Sequence, residues 1–183
     1  MKPLFTLHAG EYLVGSYIEQ HFKRVNVWVP SKDTGVDLLV TNRKNHQSVS
    51  LQVKFSKDYS RTKFEPDLRE KLRASGWWTI DHDKLRTSPA EYWVFVLASY
   101  EKRAPDFVIV PRKKLFRRLR GIHGLRDKKI NSYLCVTKNN KCWEARDLRS
   151  EGWSRIADGK FRDGPRNFTE WLNKWDPIEN LNK

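Results

Sequence analysis

The segment Tyr92-Trp93-Val94-Phe95-Val96-Leu97-Ala98 is a nearly continuous apolar run. A strand with no polar face has no side to give to water, so it must lie inside a sheet covered on both faces. The rest of the chain supplies the layers. Residues 9–22 read as a helix, with Glu11, Gly15, Ile18 and Phe22 on one helical line and Val14, Tyr17 and His21 flanking it. Glu11 stands near the N-terminal end of that stripe. Residues 25–29 alternate as a strand stopped by Pro30-Ser31, and residues 31–35 form a turn. A second strand is expected over residues 36–40, a polar loop over 41–47 and a third strand over 48–55. In that third strand Val49, Leu51, Val53 and Phe55 face one side, and Ser48, Ser50, Gln52 and Lys54 the other. Residues 56–86 read as a polar connection, helical over 66–74 and otherwise loop. Further on come a strand at 106–110 ended by Pro111, a basic helix at 112–120, a late strand at 133–136 and a short helix at 168–175. This order predicts an α/β fold in one domain spanning residues 1–183, without internal repeats.

Charge narrows the function. Thirty-six Lys and Arg stand against 22 Asp and Glu, a net charge of +14. That balance argues against a neutral metabolic enzyme and favours a polyanionic partner, either nucleic acid or an anionic membrane surface. Eight Trp argue against a disordered chain. Cys135 and Cys142 are the two cysteines, too few for a disulfide scaffold and without a CxxC pair for zinc. They read as reduced structural thiols. With no apolar run long enough for a signal peptide or a membrane span, a cytoplasmic location is expected.

The chemistry concentrates in the first helix and the next strands. Asp37 is flanked by Val and Leu, where a carboxylate is costly unless paired or holding a metal. Gln52 and Lys54 are two apart on a strand and project from one face. If the strands of Asp37 and Gln52 are neighbours, three polar groups converge. Phosphodiester hydrolysis uses such a set. Mg²⁺ takes oxygen ligands and keeps several waters, so one or two carboxylates suffice. Asp37, the Gln52 amide oxygen and the Val53 carbonyl are plausible ligands, with Glu11 adding a ligand directly or through water. Lys54 would hold the attacking water and stabilise charge on the phosphate. The alternative places Gln52 and Lys54 on a solvated sheet face, with Asp37 paired to Lys54. Glu19, turned away from the apolar stripe, and Asp33, in a turn, are the rival carboxylates.

Glu11, followed by Gly35-Val36-Asp37-Leu38-Leu39-Val40 and Leu51-Gln52-Val53-Lys54, resembles the PD-(D/E)XK nuclease superfamily, which includes many restriction endonucleases and the archaeal Holliday junction resolvases. The resemblance covers roughly residues 9–55. It implies a restriction-endonuclease-like mixed central sheet flanked by helices, which the strands at 92–98 and 106–110 would extend. It implies Asp37 as a metal ligand, Gln52 at the (D/E) position, Lys54 as the catalytic lysine and Glu11 as the helix glutamate of resolvase-like members. The expected activity is a Mg²⁺-dependent DNA endonuclease, with Mn²⁺ as an alternative ion. Two departures stand out: Val36 replaces the usual Pro, and Gln52 replaces an acid, as in the Mrr-like restriction branch.

A second signal is the basic segment at 112–129, with Arg112, Lys113, Lys114, Arg117, Arg118, Arg120, Arg126, Lys128 and Lys129 opposed by Asp127 alone. Leu115, Phe116 and Leu119 give it an apolar seam, so one face can pack while the other meets phosphates. That seam is too short for a membrane helix. DNA is the expected partner, with RNA left open, and a homodimer would supply one site per strand. Trp77-Trp78 reads either as core or as a base-stacking pair. Trp143, Trp153, Trp171 and Trp175 are expected to fasten the C-terminal part to the sheet. Gly121-Ile122-His123-Gly124 fits a KH-type GxxG only as a four-residue match, and the five His lack metal-ligand spacing. The rival functions are a non-catalytic nucleic-acid-binding module on the same fold and a basic interaction protein for an acidic partner.

Overall fold

The computed structural model describes residues 8–32, 34–56, 66–99, 104–124 and 127–182. Helix α1 (Ala9–His21) leads into strands β1 (Val25–Trp28), β2 (Leu38–Asn42) and β3 (Ser48–Ser56). Then follow α2 (Pro66–Lys71), β4 (Leu72–Asp81), α3 (His82–Thr87), β5 (Tyr92–Leu97), β6 (Asp106–Pro111) and α4 (Arg112–His123). The chain closes with β7 (Lys129–Thr137), β8 (Cys142–Glu144), α5 (Ser150–Ala157), a 3₁₀ turn (Thr169–Trp171), α6 (Asp176–Glu179) and a last 3₁₀ turn (Asn180–Asn182).

The apolar run is β5, and it lies in a five-stranded mixed sheet of order β1-β2-β3-β5-β6. The β3–β5 pair is parallel; the other pairs in this sheet are antiparallel. Alternation splits β5 between two cores. Val94 and Val96 face Val14 and Ile18 of α1 together with Leu51, Val53 and Ile109. Trp93, Phe95 and Leu97 face the opposite core with Leu115 and Leu119 of α4. The α/β class is as expected, and β5 and β6 do extend the sheet begun by β1–β3.

The second cover differs from the expectation of helices alone. A separate antiparallel sheet, β4-β7-β8, lies over that face, and Ala74, Trp78, Ile80, Leu134 and Val136 contribute to the shared core. The helix expected over residues 66–74 ends at Lys71, and the residues read as loop form the ten-residue strand β4. Gly76 hid this strand by interrupting its inner line, Ala74, Trp78 and Ile80. The gap is needed: a Cβ at Gly76 would stand 2.3 Å from Cη2 of Trp78, whose indole lies across it. The two neighbouring tryptophans therefore separate, Trp78 6% exposed in the core and Trp77 41% exposed.

An ion pair ties the two sheets together. Arg73 of β4 donates Nε to Asp106 Oδ2 (2.9 Å) and Nη2 to Oδ1 (2.6 Å), and Asn173 Nδ2 adds a third bond to Oδ1 (2.9 Å). Both charges are buried, so their full pairing is what makes the burial tolerable. Of the helix expected at 168–175 only the 3₁₀ turn forms, and α6 starts just beyond it at Asp176. Trp175 packs on Tyr17 and Phe107, and Trp171 joins the core beside Phe168. Trp143 and Trp153 pack on the outer face of the second sheet, against Phe161 and Tyr133. No described helix is long and apolar enough to cross a membrane.

Candidate active site

The cleft is built where three elements meet. Strand β2 begins at Leu38, later than the expected residue 36, and Asp37 occupies the bend before it. Gly35 sets up that bend with φ +81°, a left-handed conformation that favours glycine, and a Cβ there would stand 3.1 Å from Pro89 Cδ. The Asp37 N–H donates to the Leu51 carbonyl (2.8 Å), which extends the β2–β3 ladder by one bond and fixes the carboxylate against β3. The Val53 N–H donates to Asp37 Oδ2 (2.8 Å), and Gln52 Nε2 donates to the same oxygen. A carboxylate accepts only, so the Gln52 amide must turn its nitrogen to Asp37, and its Oε1 is left as the acceptor for another partner.

Backbone direction adds a further oxygen. Along a strand, the N–H and C=O of one residue point to the same side. The Val53 N–H points toward Asp37, so its carbonyl points past the start of β2 on the side of the cleft. Lys54 follows on the same face as Gln52, with Nζ 5.2 Å from the centre of the Trp93 ring. That contact keeps the ammonium on an aromatic face that also lines the cleft. Glu11 arrives from the first turn of α1. It is 5% exposed, and its Oε2 accepts from the His8 N–H (3.3 Å), which satisfies one open donor at the helix start. Gly10 allows α1 to come this close: a Cβ there would stand 2.6 Å from Phe55 Cβ.

Glu11, Asp37, Gln52, Val53 and Lys54 all line one cleft of about 970 Å³. The face of Gln52 and Lys54 is not an open solvated sheet face; Thr79, Asp81 and Lys84 of β4 and α3 form the facing wall. No sequence period marks these three residues, because Gly76 interrupts the inner line of β4 and α3 spans only six residues. Asp81 caps α3 by accepting from the Lys84 N–H (3.0 Å). That bond, assisted by the Lys128 and Lys84 charges, holds its carboxyl below the usual carboxylate range. Among the described residues no group of three or more His, Cys, Asp and Glu is placed to hold a metal. The side of the cleft built by α1, Asp37 and β3 offers a different set: the carboxylates of Glu11 and Asp37, one amide oxygen and one main-chain carbonyl. All are oxygens, which suits a hard cation that keeps part of its water shell. Of the rival carboxylates, Glu19 is exposed on α1 and Asp33 lies outside the described residues.

The basic segment divides. Helix α4 runs to His123, three residues beyond the expected end, and buries Leu115 and Leu119. Lys113, Lys114, Arg117 and Arg120 are exposed on it. Lys128 and Lys129 are exposed beside the cleft wall: Lys129 pairs with Asp81 in the β4–β7 ladder, and the Lys128 carbonyl accepts from the His82 N–H. Arg118 departs from the expected phosphate contact. Its Nη1 donates to the carbonyls of Gly164, Pro165 and Asn167, its Nη2 pairs with Glu170 (2.8 Å), and its guanidinium lies 4.9 Å from the Trp171 ring centre. It latches α4 to the C-terminal segment. Arg112 donates to the Arg86 carbonyl and joins α4 to α3. Arg126 lies outside the described residues. His123 closes α4 onto the buried Glu144 (3.1 Å), which also pairs with Arg166 (2.6 Å), so the GxxG match belongs to a helix end tied into the protein.

The chain matches no protein-family model, no curated protein and no solved structure.

Proposed function

We propose that the chain is a metal-dependent nuclease of the PD-(D/E)XK type that cuts DNA phosphodiester bonds. The observation that carries this reading is the convergence of Glu11, Asp37, Gln52, Val53 and Lys54 on one cleft from elements far apart in sequence. The resemblance of these residues to the superfamily's motif and the net charge of +14 point the same way. Asp37, Glu11, the Gln52 Oε1 and the Val53 carbonyl would hold Mg²⁺. The ion would supply charge that polarises the scissile phosphate and acidifies an attacking water. Asp37, locked by the Val53 N–H and Gln52, presents its carboxylate in a fixed orientation. Lys54 supplies a cation for the charge that develops on the phosphate, and its seat on Trp93 limits its freedom. Lys128, Lys129 and the exposed face of α4 offer sequence-independent contacts to the phosphate backbone.

Purified protein is tested on supercoiled plasmid, linear duplex, four-way junction and single strand, with Mg²⁺, Mn²⁺ or EDTA. Cutting that needs the metal and is lost in Asp37→Ala and Lys54→Ala is the expected result. Lys54→Ala should lower the rate by about a hundredfold or more while leaving DNA binding in place. Salt-sensitive binding with no cutting under any condition would favour the non-catalytic module. Cutting that both variants retain would refute the assignment of the site.

A further inference from the structure

Trp77 is the feature of the cleft region that neither the core nor the proposed chemistry uses. It is 41% exposed, while its neighbour Trp78 is buried against Phe95. Trp77 and Thr79 project from the same side of β4, about 7 Å apart along the strand. Thr79 lines the cleft. The Trp77 N–H donates to Ser56 Oγ (3.1 Å), at the end of β3. Trp77 thus stands one strand step from a cleft-wall position, with its backbone pinned to β3. A large aromatic ring left in water beside the cleft forgoes the stabilisation that burial would bring.

We infer that Trp77 is a stacking platform for an unpaired base of the strand whose phosphate enters the cleft. This inference rests on the nuclease reading for the entering strand, and it names the substrate class: DNA with unpaired nucleotides at the cut. Inside a duplex both faces of a base are already stacked, so a protein ring can take one only where the base is unpaired or flipped out. Stacking uses the π-face that every base has, so the preference is for unpaired structure and not for a sequence. A cleft of about 970 Å³ is of the size that takes a small ligand or a short piece of strand. Lys54 and Lys84 on its walls provide for the phosphates, and Trp77, two residues from the cleft-wall Thr79, provides for the base.

The test measures binding and cutting separately. Binding is followed in EDTA at fixed salt by anisotropy of three labelled probes: a short DNA single strand, an abasic sugar-phosphate strand of equal length, and a duplex. Wild type should prefer the base-bearing strand over the abasic one. Trp77→Ala should weaken that preferred binding by about tenfold and leave abasic binding unchanged. Trp77→Phe should recover part of the loss, and Trp28→Ala, another exposed indole on β1, should change nothing. Equal binding of both strands by wild type, or an equal loss on both in Trp77→Ala, overturns the platform. Cutting in Mg²⁺ separates the two ideas. Base-selective binding without cutting by wild type sinks the nuclease reading and keeps the platform. Unpaired DNA cut equally fast by wild type and Trp77→Ala sinks the platform and keeps the nuclease.

Discussion

Replacing Gln52 by Glu exchanges the amide that donates to Asp37 Oδ2 for a second carboxylate. Two carboxylates roughly 3 Å apart repel by about 5 kcal/mol at an effective dielectric near 20. Asp37 keeps the Val53 N–H but loses its side-chain donor, a loss of about 1–3 kcal/mol for a buried acceptor. The Glu side chain can swing toward the open side of the cleft and relieve much of the repulsion, so a net destabilisation of about 2–4 kcal/mol is expected. For a chain of this size that corresponds to a melting point lower by roughly 5–15 °C. Mg²⁺ should reverse the effect, because a cation between the two carboxylates turns repulsion into ligation. At a hundredfold excess over its Kd the ion adds about 2.7 kcal/mol. The wild type, with a neutral amide, should gain less from the same Mg²⁺. The assay is thermal melting of both proteins in EDTA and across a Mg²⁺ titration, with Asp37→Asn/Gln52→Glu as the control that removes one charge. Gln52→Glu melting with wild type in EDTA would refute the geometry. Equal Mg²⁺ responses of the two proteins would refute the ion site.

Asp106→Ala leaves the Arg73 guanidinium buried without its carboxylate and should cost about 3–5 kcal/mol, read by urea unfolding. Gly76→Ala drives a methyl into the Trp78 ring and should cost about 1–3 kcal/mol, with a change in near-ultraviolet circular dichroism as the indole shifts. Arg118→Ala should destabilise by about 1–3 kcal/mol, yet leave the salt dependence of DNA binding unchanged, whereas Arg117→Ala should leave stability unchanged and reduce the salt slope by about one. Burial pushes both thiols, Cys135 and Cys142, well above their usual range. The native protein should therefore resist alkylation at pH 8 until it unfolds. Above about pH 9 the unfolded thiols ionise and the folded ones do not, so stability should fall with rising pH by about 1.4 kcal/mol per unit for each thiol. A double Cys→Ala protein whose stability shows the same fall over that range would count against this assignment.

The elements with a clean period were legible. The 3.6-residue stripe of α1 and the alternation of β3 were readable because a single face of each is apolar, and the continuous run of β5 demanded two covers. The placement of Glu11, Asp37, Gln52 and Lys54 was also readable: strands joined by short turns pair with their neighbours, which sets Asp37 beside Gln52. Strand β4 was not readable, since Gly76 breaks its inner line and the partner that makes it a strand, β7, lies about 60 residues further on. That error hid Thr79, Asp81 and Lys84 from the site. The charge run at 112–129 carried no sign that Arg118 would turn inward, because its acceptors are backbone carbonyls of a segment some 46–49 residues away.

Sequence by itself determined the α/β class, the cationic character and which polar side chains share one face of β3. Those properties follow from local periodicity and composition, which need no knowledge of distant partners. Tertiary structure alone decided that a second sheet roofs the cleft, that Trp78 is core while Trp77 faces water, and that Arg73 and Asp106 pair in the interior. Each of these depends on which distant surface covers a residue, and burial is a property of that pairing rather than of the residue.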